Sequence, residues 1–114
     1  QEFATLSEYG IDVKVIVLHN DTLGMIVQLQ DFFYNHHYSQ CTLNKRKNLP
    51  MLAESLGVKG YAIEKQDDLI PVLKEAFAHK GPALVDIRIS PEERVYPTVP
   101  GGKALSDMIL GGDA

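Results

Sequence analysis

At 114 residues, with 45% apolar and 23% charged residues, the chain fits one domain that can bury a core with little stability to spare. Its net charge of −4 gives no electrostatic footprint for nucleic acid or an anionic membrane, so neither is expected as a partner. No apolar run approaches the roughly 18 residues that span a bilayer, and the single cysteine, Cys41, excludes an intrachain disulfide and suits a reducing, cytoplasmic setting.

The start, Gln1-Glu2-Phe3-Ala4-Thr5-Leu6, has neither the basic segment nor the apolar stretch of a signal peptide. It opens on glutamine, so a fragment or processed piece is expected. Phe3 and Leu6 share a face over residues 2–9, which predicts a short helix closed by Gly10. Residues 13–18 form an almost unbroken apolar run, as expected of a strand covered on both faces in a parallel sheet, and we expect it to be the most buried strand. It stops at the polar turn His19-Asn20-Asp21-Thr22.

Apolar residues at Ile26, Val27, Leu29, Phe32 and Phe33 then predict a helix over 23–34. Residues 35–47 read as a surface loop, and its basic run Lys45-Arg46-Lys47 as a solvated segment. Asn48 is suited to cap a helix carrying Leu49, Leu52, Ala53 and Leu56, with Pro50 in the first turn and Gly57 closing it. A brief strand follows at Tyr61-Ala62-Ile63. Asp67 and Asp68 sit at the head of a helix whose apolar face is Leu69, Ile70, Leu73, Ala76 and Phe77, and Gly81-Pro82 end it.

The last strand, 83–89, places Ala83, Val85, Ile87 and Ile89 on one face and Leu84, Asp86 and Arg88 on the other. From Ser90 onward, Pro91, Pro97, Pro100 and the pairs Gly101-Gly102 and Gly111-Gly112 predict an extended arm, with at most a short helix over 104–110. Its apolar residues Val95, Tyr96, Val99, Leu105, Met108 and Ile109 indicate that it docks on something. The element order implies right-handed crossovers and a parallel sheet of about three strands with flanking helices, over 1–89, with the Pro/Gly-rich arm over 90–114. A helix ahead of the first strand leads us to expect a further strand upstream.

Ligands of open parallel sheets sit beyond the carboxyl ends of the strands, where Asn20 and Asp21 fall. Mg²⁺ takes hard oxygen ligands, commonly one or two protein groups with substrate phosphates and water, and an Asn oxygen with a backbone carbonyl would suit it. The competing reading, which spacing alone favours, is a turn and helix cap. His19 is either structural or a proton donor. His36, His37 and Cys41 do not complete a zinc site, and His79 fits a helix C-terminus. There is no nucleophile elbow, Walker loop or G-x-G-x-x-G, and no catalytic residue is assigned.

The strand and turn V-K-V-I-V-L-H-N-D-T-L-G-M, followed by Q-L-Q-D-F-F-Y and H-H-Y-S, closely resemble the thiamine-diphosphate-binding domain of the acetolactate synthase (acetohydroxyacid synthase) large subunit. The opening Q-E-F-A-T and the close G-P-A-L-V-D-I-R-I-S-P-E-E-R-V-Y-P-T-V-P-G-G-K-A-L-S-D-M-I-L extend the likeness over nearly the whole chain. The resemblance implies an incomplete three-layer α/β thiamine-diphosphate-binding domain. It further implies condensation of pyruvate with a second 2-keto acid in branched-chain amino-acid biosynthesis, with thiamine diphosphate and Mg²⁺ as cofactors. FAD would be held outside this chain, and a homo-oligomer and a regulatory small subunit are the implied partners.

By the same resemblance, Asn20 gives its side-chain oxygen and Thr22 its backbone carbonyl to Mg²⁺. Leu23, Gly24 and Met25 line the diphosphate and substrate region, and Met25 and Leu29 border the substrate pocket. Two positions depart from the family pattern. His19 replaces the first residue of its Asn-Asn pair, and Leu29 replaces the tryptophan of Met-x-x-Gln-Trp. The smaller side chain removes an aromatic contact, which implies a weaker preference for 2-ketobutyrate over pyruvate.

The family's Gly-Asp-Gly half-site, activating glutamate, cofactor-bending residue and FAD domain lie upstream of such a segment, so the piece is expected to be inactive alone. The alternatives are another thiamine-diphosphate carboligase or decarboxylase, which the Pro-rich tail disfavours, and a non-catalytic remnant acting as an assembly module through an open sheet edge.

Overall fold

The computed structural model describes residues 1–43 and 47–111; Lys45 and Arg46 of the basic run, and Gly112 of the last glycine pair, lie outside the described residues. In chain order the elements are α1 (Glu2–Glu8), β1 (Lys14–His19), α2 (Gly24–Phe33), α3 (Leu49–Ser55), β2 (Lys59–Ile63), α4 (Leu69–Ala78) and β3 (Ala83–Arg88), with short 3-10 turns at Gln66–Asp68 and Leu105–Asp107. They fall into two compact units, Gln1–Asp21 with Asn44–Ser90, and Thr22–Leu43 with Pro91–Ala114.

The first unit is built on a three-stranded, fully parallel sheet in the order β1-β3-β2. Side chains alternate across a strand, so β3 sends Leu84 to one side and Val85 to the other. Leu84 packs with Ala53 and Val58, joined by Phe3, Val17 and Leu49, which sets α1 and α3 on that face. Val85 packs with Ile63 and Ala76, joined by Leu69, Val72 and Leu73, which sets α4 on the opposite face. The result is a three-layer α/β arrangement. The stripe of α4 that meets the core is therefore Leu69, Val72, Leu73 and Ala76; Ile70 and Phe77, expected in it, are exposed.

The expectation for the most buried strand is corrected. That strand is β3, whose first four residues are all buried, whereas β1 lies at the edge of the sheet and has none. Ile16 and Leu18 stand 40% and 65% exposed on the α4 side of β1. Both strands are strongly apolar, and position in the sheet, which depends on pairing at long sequence separation, decides which one is enclosed.

Local signals behave as their chemistry dictates. The Asn48 side chain accepts a hydrogen bond from the Met51 N–H at 2.9 Å, capping α3, with Pro50 in its first turn. Gly57 then adopts φ +78°, and its carbonyl accepts from Ser7 Oγ at 3.0 Å, tying the end of α3 to α1.

In the second unit, Thr22 and Thr42 form an isolated antiparallel bridge, and the Leu23 N–H donates to the Cys41 carbonyl at 2.8 Å, burying Cys41. Within residues 91–111, Thr98 bridges Ile109 antiparallel, and the expected short helix is the three-residue 3-10 turn at Leu105–Asp107. Among the described residues, no helix is long and apolar enough to cross a membrane.

Candidate functional site

The carboxyl ends of β1 and β3 lie side by side, with His19 in register with Arg88. Val17 and His19 face the same layer as Asp86 and Arg88, because Val17 pairs with Asp86 in the same ladder. Asp86 is 2% exposed, and a carboxylate there must be paired or hydrogen-bonded to be tolerated. The His19 ring supplies that contact, with Nδ1 at 3.0 and 3.2 Å from the two Asp86 oxygens. On its other side, His19 Nε2 lies 2.8 Å from Asp21 Oδ1. Arg88 Nη2 donates to Asp21 Oδ2 at 2.5 Å.

Four side chains thus hold the turn that carries Asn20. Asp21 adopts φ +54°, a left-handed conformation that Asp tolerates better than most residues; its Oδ2 is held by the Arg88 guanidinium, while its Oδ1 lies beside the His19 ring. The Arg88 hydrogen bond holds the Asp21 carboxyl below the usual aspartate range, against an opposing push from partial burial. Asp21 in turn raises Arg88.

A carboxyl whose folded-state pKa is depressed adds stability that is fully present above its unfolded pKa, near 4, and is lost as pH falls through the folded value. Acid unfolding of the Asp21→Asn variant is therefore expected to show a flatter stability loss below about pH 4 than the parent chain, because the substituted side chain no longer titrates. Equal slopes in urea titrations at a series of acidic pH values would contradict the pairing.

Asn20 is half-buried directly after β1 in the first unit. Thr22, Leu23, Gly24 and Met25 open the second unit: Thr22 is in the bridge to Thr42, Leu23 is the cap residue of α2, and Gly24 is its first residue. Met25 and Leu29, 60% and 44% exposed, border a cleft of about 190 Å³ in that unit.

Among the described residues there is no group of three or more His, Cys, Asp and Glu able to hold a metal ion. A divalent cation at this turn would draw on amide and carbonyl oxygens and on oxygens of its own ligand, the hard donor set that suits Mg²⁺. Asp21 Oδ1, close to His19 but outside hydrogen-bond geometry, is a buried oxygen in the same turn without a hydrogen bond. The donors present therefore fit such an ion.

Asp86 and Arg88 are functional residues that the sequence alone does not mark as a site. Their signal is the interruption of an apolar strand at alternate positions on one face. That signal marks a polar requirement without identifying His19 and Asp21 as the groups that meet it.

Residues 1–87 match the family model described as "Thiamine pyrophosphate enzyme, C-terminal TPP binding domain". The mitochondrial acetolactate synthase of Schizosaccharomyces pombe is 42% identical over 109 residues, covering 96% of this chain and 16% of that protein. The acetolactate synthase large subunit of Haemophilus influenzae is 41% identical over 111 residues, covering 96% of this chain and 19% of that protein. The isozyme 1 large subunit of Escherichia coli is 37% identical over 109 residues, with the same shares. The chain thus spans less than a fifth of the length of these relatives. Among solved structures, the thiamine diphosphate-dependent 4-hydroxybenzoylformate decarboxylase of Rhodococcus jostii RHA1 superposes with a TM-score of 0.69 at 25% identity, covering 77% of this chain and 16% of that one.

Proposed function

Because the chain belongs to the family of C-terminal TPP-binding domains of thiamine pyrophosphate enzymes, we propose that it is a segment of a Mg²⁺-dependent acetolactate synthase. The complete protein condenses pyruvate with a second 2-keto acid in branched-chain amino-acid biosynthesis. Residues 1–89 contribute part of the cofactor domain, and 90–114 form an arm. The carrying observation is Asn20 standing just past the carboxyl end of a parallel strand, in a turn held by Asp21, Arg88, His19 and Asp86.

Asn20 through its side-chain oxygen and Thr22 through its carbonyl are the metal ligands of this proposal. Leu23, Gly24 and Met25 border the diphosphate and substrate region, and Met25 and Leu29 contact substrate. Thiamine diphosphate, when bound, supplies the carbanion chemistry. The role of this chain is to bind and orient its metal-diphosphate end. Acetolactate synthase is favoured over another thiamine carboligase or decarboxylase by the identity to proteins of that name along nearly all of the chain, tail included. FAD in another part of the protein, a homo-oligomer, a regulatory small subunit and a reducing compartment such as the cytoplasm belong to the same proposal.

Titration calorimetry with Mg²⁺ and thiamine diphosphate tests it. In the complete protein, Asn20→Ala is expected to weaken cofactor binding at least about ten-fold, as losses around metal sites commonly do, whereas the 114-residue chain alone binds neither tightly. Unchanged affinity in the variant would overturn the assignment of Asn20. Tight binding by the isolated chain would overturn its dependence on the remainder. In the same protein, Leu29→Trp is expected to increase selection of 2-ketobutyrate over pyruvate in a competition assay; an unchanged ratio removes Leu29 from the substrate pocket.

A further inference from the structure

We infer that Gln28 is a positioning residue: its amide clasps the backbone of Val95 and thereby sets the tail-side wall of the cleft bordered by Met25 and Leu29. Met25, Gln28, Leu29 and Phe32 share one stripe of α2 by their spacing. Gln28 is the only residue of the four with a polar amide, and it is 3% exposed. A buried amide is costly unless its donor and acceptor are both used.

One tail residue uses both. Gln28 Oε1 accepts from the Val95 N–H at 2.7 Å, and Nε2 donates to the Val95 carbonyl at 3.2 Å. This closed pair engages both main-chain groups of a single residue, as a hydrogen-bonded residue of an antiparallel strand would. It fixes backbone position whatever side chain residue 95 carries.

Neighbouring contacts keep the same register. The Arg94 guanidinium donates to the Asp31 carboxylate, and the Tyr96 ring packs against Phe32 at 6.1 Å between centroids. Three consecutive tail residues are thereby held by helix positions 28, 31 and 32. Only Tyr96 and Pro97 separate the clasp from Thr98, where the tail-side wall of the cleft begins. Thr98, Val99 and Pro100 then line the cleft together with Met25, Leu29 and Phe33. So short a tether transmits a shift at Val95 to that wall.

The inference rests on the proposed role of Met25 and Leu29 in the substrate pocket, and two separate measurements test the two ideas. The first is hydrogen exchange, read residue by residue by mass spectrometry, on the complete protein and its Gln28→Leu and Gln28→Glu variants. Leucine makes neither bond, while glutamate retains an acceptor for the Val95 N–H and loses the donor to its carbonyl. Val95 amide protection is expected to fall about ten-fold or more in Gln28→Leu and less in Gln28→Glu, with β3 amides unchanged. Equal Val95 protection in all three proteins overturns the clasp. If Gln28→Leu lowers β3 protection as well, the Gln28→Glu comparison decides: intermediate loss at Val95 alone supports the clasp, and loss at β3 too overturns it. The second measurement is steady-state kinetics of the complete protein. Gln28→Leu is expected to raise KM for the second keto acid by a larger factor than it lowers kcat, with partial recovery in Gln28→Glu. Loss of Val95 protection with unchanged KM overturns the substrate reading of the cleft while retaining the clasp.

Discussion

Gly60→Ala is expected to destabilise the first unit by about 3 kcal/mol, the upper end of the usual cost of overpacking. Gly60 lies in β2, in register with Leu84 of the central strand. A Cβ at this position would stand 2.6 Å from the Pro50 carbonyl oxygen, 2.7 Å from its Cα and 2.9 Å from its carbonyl carbon. All three are backbone atoms in the first turn of α3, so no side-chain rotation relieves the clash. The helix must slide from the sheet, loosening Ala53 from Val58 and Leu84.

Conformational entropy works in the opposite direction. Gly60 is not among the positive-φ residues, and alanine there would gain about 0.4–1 kcal/mol by restricting the unfolded chain. The net loss therefore understates the steric term by about that amount. Urea unfolding reads it, with Gly101→Ala as the comparison, since that glycine has open space around it and no positive φ. A Gly60→Ala midpoint equal to that of the parent chain would show that α3 is not held against β2 at this point.

The segments legible in the sequence were those whose structure is decided within a few residues. Asn48, Pro50 and Gly57 punctuate α3 because a cap, a fixed φ and a left-handed closure are local events. The order β1-β3-β2 is of another kind: β1 and β3 both read as continuous apolar strands, and only pairing across more than sixty residues puts β3 in the centre. The same limit applied to the candidate site. Asn20 could be placed at a strand end from its flanking run, but the groups that hold its turn, Asp86 and Arg88, arrive from the far end of the chain. Gln28 was hidden differently, inside a helical pattern whose partner is a backbone rather than a recognisable side chain.

Asp86→Ala is expected to cost about 3 kcal/mol, because breaking a buried, charge-assisted contact leaves the remaining partner unsatisfied. The carboxylate is 2% exposed, so water cannot readily take its place. Its loss leaves His19 Nδ1 without either of the oxygens now at 3.0 and 3.2 Å. The ring would then be steered by Asp21 alone, at 2.8 Å from Nε2, while Asp21 also carries the Arg88 hydrogen bond. The turn bearing Asn20 loses one of its two anchors on β3, so its amides are expected to exchange faster than those of β2.

Asp86→Asn separates hydrogen bonding from charge, since an amide oxygen of nearly the same shape still accepts from Nδ1–H. It is expected to retain more than half of the stability lost in the alanine variant. A double-mutant cycle with His19→Ala isolates the pair: coupling of about 1–3 kcal/mol is expected for groups in direct contact. Independent, additive losses would mean that Asp86 is kept for a different neighbour and that His19 does not brace the turn. A substantial coupling, with faster exchange confined to residues 19–21, makes this buried pair the support on which the position of Asn20 depends.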